Sequence, residues 1–169
     1  MGKIAERHLW AAKIIDPQPT ERILEIGCGT GILAGQLAAR LDEGCIHALD
    51  RSLSLVEKAE KKNQRHLDSG RMKISNLEFL DFESPIKYDK AVAFNVNFFQ
   101  RENSKELGKI KELLAEDGKL YVFFQAPYHV DISHADPIMK NLLDNGYKVQ
   151  MVELMPQDPI SALCVIVKP

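Results

Sequence analysis

Apolar residues along this chain follow two rhythms. Short runs rich in Val, Ile, Leu and Phe alternate with longer stretches in which apolar positions recur three and four apart, the pattern of strands alternating with helices. The strand-like runs are Arg22–Ile26, Cys45–Leu49, Leu77–Leu80, Lys90–Asn95 and Lys119–Gln125, and helical spacing covers Ile32–Leu41, Leu53–Leu67 and Lys105–Glu116. Strands apolar throughout are buried on both faces, so a mostly parallel sheet clad in helices is predicted. Ser104 is placed to cap the third of these helices at its start, and Gly118, after "ED", to close it. A further helix is predicted over Lys3–Ile15, joined to the first strand by the hinge-like "DPQPT".

The last quarter breaks the alternation. After a helical stretch at Pro137–Asp144 come "YKVQMVELM" and "SALCVIVKP", separated only by "PQDP", and strands so close in sequence must pair antiparallel. The fold class is therefore α/β, a mixed sheet ending in an antiparallel hairpin. With 169 residues, 45% hydrophobic and 27% charged, and no repeat or linker, one domain spanning 1–169 is expected, its first 20 residues a helical segment.

Charge and cysteines narrow the setting. A net charge of −2 gives no overall attraction for nucleic acid, so a small-molecule or protein partner is expected and no nucleic acid. Cys28, Cys45 and Cys164 are odd in number and lack metal-ligand spacing, which points to neither a disulfide framework nor a metal and suits a reducing cytoplasm. No run approaches the roughly 18 apolar residues of a membrane span.

Candidate chemistry concentrates in "ILEIGCGTG", residues 23–31. Gly27, Gly29 and Gly31 follow a predicted strand and lead into a predicted helix, where bare backbone admits close approach of a ligand. The dinucleotide pattern GxGxxG is not met: the third glycine comes one residue early, position 32 is Ile, and Glu25 stands two residues ahead of the first glycine. Asp50 ends the next strand, about 20 residues on, where a carboxylate accepts ribose hydroxyls; its bland role is to cap the following helix, a task Ser52 is also placed to do.

Glu25, the three glycines, Asp50 and the terminal hairpin together resemble the class I S-adenosylmethionine-dependent methyltransferases. The resemblance implies a three-layer Rossmann-like sandwich with seven strands in the order 3-2-1-4-5-7-6, the last antiparallel, and S-adenosyl-L-methionine as cofactor. It implies further that Glu25, Gly27, Cys28, Gly29 and Gly31 form the loop beside the methionyl and ribose portions. Asp50 would hold the ribose, and Asp81, with Phe82 beside it in "FLDF", would meet the adenine. Asp81 has an alternative role as a loop cap. Arg51 stands where the family often has an apolar residue against adenine, leaving that contact to its guanidinium plane or to Leu53. Cys28 reads as a small side chain more than a reactive thiol. The family often uses a segment like the N-terminal helix as a lid, against which stands simple packing of Trp10 and its apolar neighbours on the sheet.

Methyl transfer from a sulfonium requires in-line positioning and a water-poor pocket more than catalytic side chains. The resemblance implies that polar groups after the fourth strand lie near the cofactor's amino-acid portion, and "AFNVNFF" offers Asn95 and Asn97 for that role, with Phe98 and Phe99 following as channel or core residues. The Asn/Asp-Pro-Pro-aromatic motif of many base and amide methyltransferases is absent there, which disfavours adenine, cytosine or glutamine N-methylation. Where a base is needed, "APYHVDISHAD" offers Tyr128, His129 and His134 as catalytic candidates, imidazole being matched to neutral pH; solvated loop residues are the alternative. The cluster Lys58, Lys61, Lys62 and Arg65 is interspersed with Glu57 and Glu60 and reads as a solvated helix face. With no inserted substrate domain, a small acceptor is expected, in a monomer or homodimer. A non-catalytic cofactor-binding subunit is the competing reading. A nucleotide-dependent oxidoreductase is a weaker one, since no Tyr is followed four residues later by Lys.

Overall fold

The structure, a computed structural model, describes residues 5–101, 105–156 and 161–169. Along the chain run α1 (Glu6–Ile15), β1 (Arg22–Ile26), α2 (Ile32–Ala38), β2 (Cys45–Asp50), α3 (Leu53–Asp68), β3 (Met72–Asn76), β4 (Tyr88–Phe94), α4 (Lys105–Leu113), β5 (Leu114–Gln125), α5 (Asp136–Asp144), β6 (Lys148–Leu154) and β7 (Ala162–Lys168). The seven strands form one sheet in the order β3-β2-β1-β4-β5-β7-β6. β1 to β5 pair in parallel, and β7 runs antiparallel to both β5 and β6.

Strand alternation divides the interior into two layers. From β7, Leu163, Val165 and Val167 join α4 and α5 residues such as Leu107, Ile110, Ile138 and Leu142 on one face of the sheet. Ala162 and Cys164 point to the opposite face, occupied by Trp10 and Ile15 of α1 and Leu33 and Leu37 of α2. Both faces are covered, as near-continuous apolar strands require. α1 is bound to the sheet along its length: Trp10 meets Phe123 edge-on at 5.5 Å, and Lys90 of β4 donates to the carbonyls of Ile15 and Asp16 at 2.9 Å while pairing with Glu21 at 2.8 Å. A cation on the last carbonyls of a helix is favoured by its dipole.

Three sequence expectations shift. The third strand is Met72–Asn76 rather than Leu77–Leu80; it is an edge strand with a half-polar face, so its apolar signal is weak, and Leu77–Leu80 instead enters a 3-10 turn, Phe79–Asp81, that buries Phe79. The helix expected over Lys105–Glu116 ends at Leu113 and passes directly into β5. Gly118 therefore caps nothing: it lies in a bulge of β5, where the register against β4 slips and a Cβ would stand 2.9 Å from the Ala115 carbonyl oxygen and 3.0 Å from that of Tyr88. Ser104, the cap proposed for α4, lies outside the described residues, as does most of the "PQDP" turn.

Candidate active site

The chain leaves β1 through the glycine loop. Gly27, Gly29 and Gly31 all adopt positive φ, at 73°, 55° and 68°, a region that non-glycine residues enter at a cost. β2 holds the start of the loop, since the N–H groups of Gly27 and Cys28 both donate to the Leu49 carbonyl, at 2.8 and 2.9 Å. The Asp50 carboxylate then accepts the Gly29 N–H at 2.8 Å on one oxygen and the Ser52 N–H at 2.9 Å on the other. So Asp50 caps the following turn, and Ser52 makes no side-chain capping bond. Each carboxylate oxygen offers about two acceptor sites, so both retain capacity for a ligand hydroxyl.

Beyond the carboxyl ends of the strands lies a cavity of about 630 Å³, the size range of small-ligand sites. Gly27 borders it after β1, Asp50 and Arg51 after β2, Asp81 in the 3-10 turn, and Asn95 after β4. Gly27 is pressed there: a Cβ would meet Val96 at 3.0 Å. Asn95 adopts φ 55°, tolerable for Asn, and its side-chain oxygen accepts the Gln125 N–H at 2.7 Å, tying the ends of β4 and β5 together. Phe79 and Phe98, both bordering the cavity, stack at 6.0 Å and 13° as its apolar wall.

The methyltransferase domain family matches residues 23–118, the stretch from the first residue of the motif through the bulge of β5. The chain belongs to that family. Its sheet order is that of the class I S-adenosylmethionine-dependent members. A tRNA1(Val) (adenine(37)-N6)-methyltransferase of Vibrio campbellii is 31% identical over 88 residues, covering 52% of this chain and 37% of that protein. The chain spans between 37% and 59% of the length of the curated relatives it matches. Among solved structures, a SAM-dependent methyltransferase from Aquifex aeolicus superposes with a TM-score of 0.75 at 16% identity, over 95% of this chain and 88% of that one. The [4+2]-cyclase SpnF reaches the same TM-score at 15% identity, over 96% and 80%. At such identities the likeness is one of fold, and it includes an enzyme of different chemistry.

Within this methyltransferase domain several expected site residues stand apart from the cavity. Phe82 turns into the core, edge-on to His47 at 4.8 Å and beside Tyr88 at 6.4 Å; the 3-10 turn rotates it away from Asp81. Leu53 is 58% exposed and is not among the cavity residues, whereas Arg51 is, with its Nη1 3.8 Å from Glu78. Gly31 faces α3 instead, its missing Cβ replaced by the amide of Asn63. Cys28 is buried, and burial pushes its thiol up, with Glu25 and Asp50 adding to the effect, so it is no nucleophile. Glu25 lies under α2, 2% exposed. Burial raises its carboxyl to about 8, partly opposed by a bond from the Ala34 N–H and reinforced by Asp50; its Oε2 has no hydrogen-bond partner among the described residues.

None of the expected catalytic residues lies among the described residues bordering the cavity. His134 closes a capping box with Asp131, its Nδ1 3.1 Å from the Asp131 carboxylate, and its ring stacks on Phe124 at 6.0 Å and meets Tyr128 at a tilt at 5.8 Å. His129 and Tyr128 are exposed. Sequence reading missed Phe79 and Arg101 as cavity residues. Asp81 and the alternating apolar residues before it were the available signal for Phe79, while Arg101 carried none. Among the described residues no helix is long and apolar enough to cross a membrane.

Proposed function

We propose that this domain binds S-adenosylmethionine in the cavity at the carboxyl ends of β1, β2 and β4 and transfers its methyl group to a small acceptor. The observation that carries the reading is that Gly27, Asp50, Asp81 and Asn95, from four separate segments, border one cavity. The residues fit the group. Asp50 would take the ribose hydroxyls with its remaining acceptor sites, Asp81 the adenine amino group, and the stacked Phe79 and Phe98 the apolar base. The backbone of Gly27 to Gly29 and the side chain of Asn95 would border the methionyl portion, while Glu25, whose Oε2 has no hydrogen-bond partner among the described residues, places a buried carboxyl beneath the loop.

When bound, the sulfonium supplies an electrophilic methyl. The chain's own part is positioning and exclusion of water. Loop and acid are fixed to one another by the Gly29 to Asp50 bond, and the aromatic wall lowers the local dielectric where charge is dispersed during transfer. No general base enters this scheme, because the three candidates stand outside the cavity. A small acceptor is supported by the absence of the Pro-Pro motif after β4. A second reading, an RNA acceptor, is favoured by the relative that methylates tRNA.

Calorimetric titration with S-adenosylmethionine, its demethylated product and NADP tests the site, and labelled methyl donor offered with a pooled metabolite extract or bulk tRNA tests the acceptor. Binding of the first two ligands, lost by at least tenfold in a folded Asp50→Ala variant, is expected. Binding of NADP alone would overturn the methyltransferase assignment, label in tRNA alone would decide for the second reading, and binding without transfer to either pool would leave a non-catalytic subunit.

A further inference from the structure

α3 departs from helical geometry at one point, Asn63, with φ −110° and ψ 16°. This polar residue is 3% exposed, and its side-chain amide donates to two carbonyls, Gly31 at 3.0 Å and Ala59 at 2.9 Å. The opposing surface is bare to receive it. A Cβ at Gly31 would lie 2.6 Å from the Asn63 Nδ2, and one at Gly35 would lie 2.4 Å from its Oδ1. Gly31 and Gly35, one turn apart at the start of α2, thus form a slot that only an absent side chain leaves open. The adjacent Lys62 reaches Thr30 of the same loop at 3.4 Å.

The loop has three anchors. Its start hangs on the Leu49 carbonyl and its middle on the Asp50 carboxylate, both of β2, and its end on the Asn63 amide of α3, which shares the Gly31 carbonyl with the Gly35 N–H at 3.1 Å. A buried carbonyl fixed by a side-chain donor holds its peptide plane, and hence the φ and ψ of the residues on either side. We propose that Asn63 is a positioning residue for ligand binding: by pinning the Gly31 carbonyl it sets the backbone of Gly27 to Gly31 against Asp50, and Gly31 and Gly35 are glycines to admit its amide. The third glycine of the motif therefore serves the helix behind the loop and not the ligand in front of it. The inference rests on the reading of this loop as the S-adenosylmethionine site.

The test compares thermal unfolding with the affinity for S-adenosylhomocysteine in the full chain. Gly35→Ala alone is expected to lower Tm, because the new methyl strikes Asn63; in the Asn63→Ala background the same change fills the vacated slot and raises Tm. A filler lacks the donor to Gly31, so the Asn63→Ala/Gly35→Ala double variant is expected to regain stability yet bind the probe about tenfold more weakly than the parent. Asn63→Leu keeps nearly the same shape without the donor and is expected to bind as weakly, which carries the comparison where Asn63→Ala alone does not fold. Parent-like affinity in the double variant or in Asn63→Leu would overturn the positioning role and leave Asn63 a packing residue. A parent chain that binds no probe would overturn the ligand reading itself, and with it this inference.

Discussion

Replacing Glu25 by Gln should stabilise the protein, and by an amount that grows with pH. The carboxyl is 2% exposed and raised by burial from 4.5 to about 8, so in the folded chain it stays protonated through neutrality while in the unfolded chain it ionises. Between those two values the folded state binds one more proton than the unfolded state, and stability falls as pH rises, by about 1.4 kcal/mol per pH unit. The contribution is fully present below pH 4.5 and lost by pH 8. From pH 5 to pH 7.5 the loss amounts to roughly 3 kcal/mol. Gln keeps the acceptor facing the Ala34 N–H and carries no ionisation. Its advantage over Glu should therefore be small at pH 5 and roughly 3 kcal/mol at pH 7.5, or about 10 °C in Tm for a chain of this size. Thermal and urea unfolding of both proteins across that range gives the difference directly, since every other titrating group is common to the pair. Parallel stability curves from pH 5 to 8 would show that Glu25 is already ionised in the fold and refute the argument from burial.

Two further substitutions examine buried polar contacts, the second of them behind the cavity wall. Lys90→Met removes the partner of Glu21 and the donor to the last carbonyls of α1; truncating one member of a largely buried pair costs about 3–5 kcal/mol, and hydrogen exchange should show the amide of Asp16, bonded to Ala12, losing protection ahead of the sheet. Asn141→Leu strips the buried amide of α5 that donates to the Phe98 and Phe99 carbonyls at 3.4 and 3.0 Å. Its cost is about 1–3 kcal/mol for carbonyls left unpaired, and weaker binding of S-adenosylhomocysteine should accompany it because Phe98 forms the cavity wall. Tyr147→Phe is the control, removing an equally buried bond, to the Leu107 carbonyl, away from the cavity: it should lower stability without changing affinity.

What could be read from the sequence was what period and local spacing determine. Central strands such as β1 are apolar on both faces and announce themselves, and a glycine loop followed by Asp50 at the end of the next strand is set by consecutive residues, so the architecture and the position of the glycine loop were visible. β3 was not, because an edge strand has one face in water and its Met72 and Ile74 are too few to outweigh the denser run at Leu77–Leu80, of which a turn buries Phe79 alone and leaves Leu80 exposed. Roles that depend on what lies across the fold were hidden in the same way. Asn63 sits within "KKNQRH", a stretch whose charges correctly mark a solvated face, for Lys58, Lys61, Lys62 and Arg65 are all exposed; the opposite side of that helix turns inward, where only the arrival of Gly31 and Gly35 gives a buried amide its purpose. Likewise Gly31 belonged to the motif by spacing and to Asn63 by contact. A glycine pattern reports that a side chain is forbidden, and only the structure says whether a ligand or a neighbouring helix forbids it.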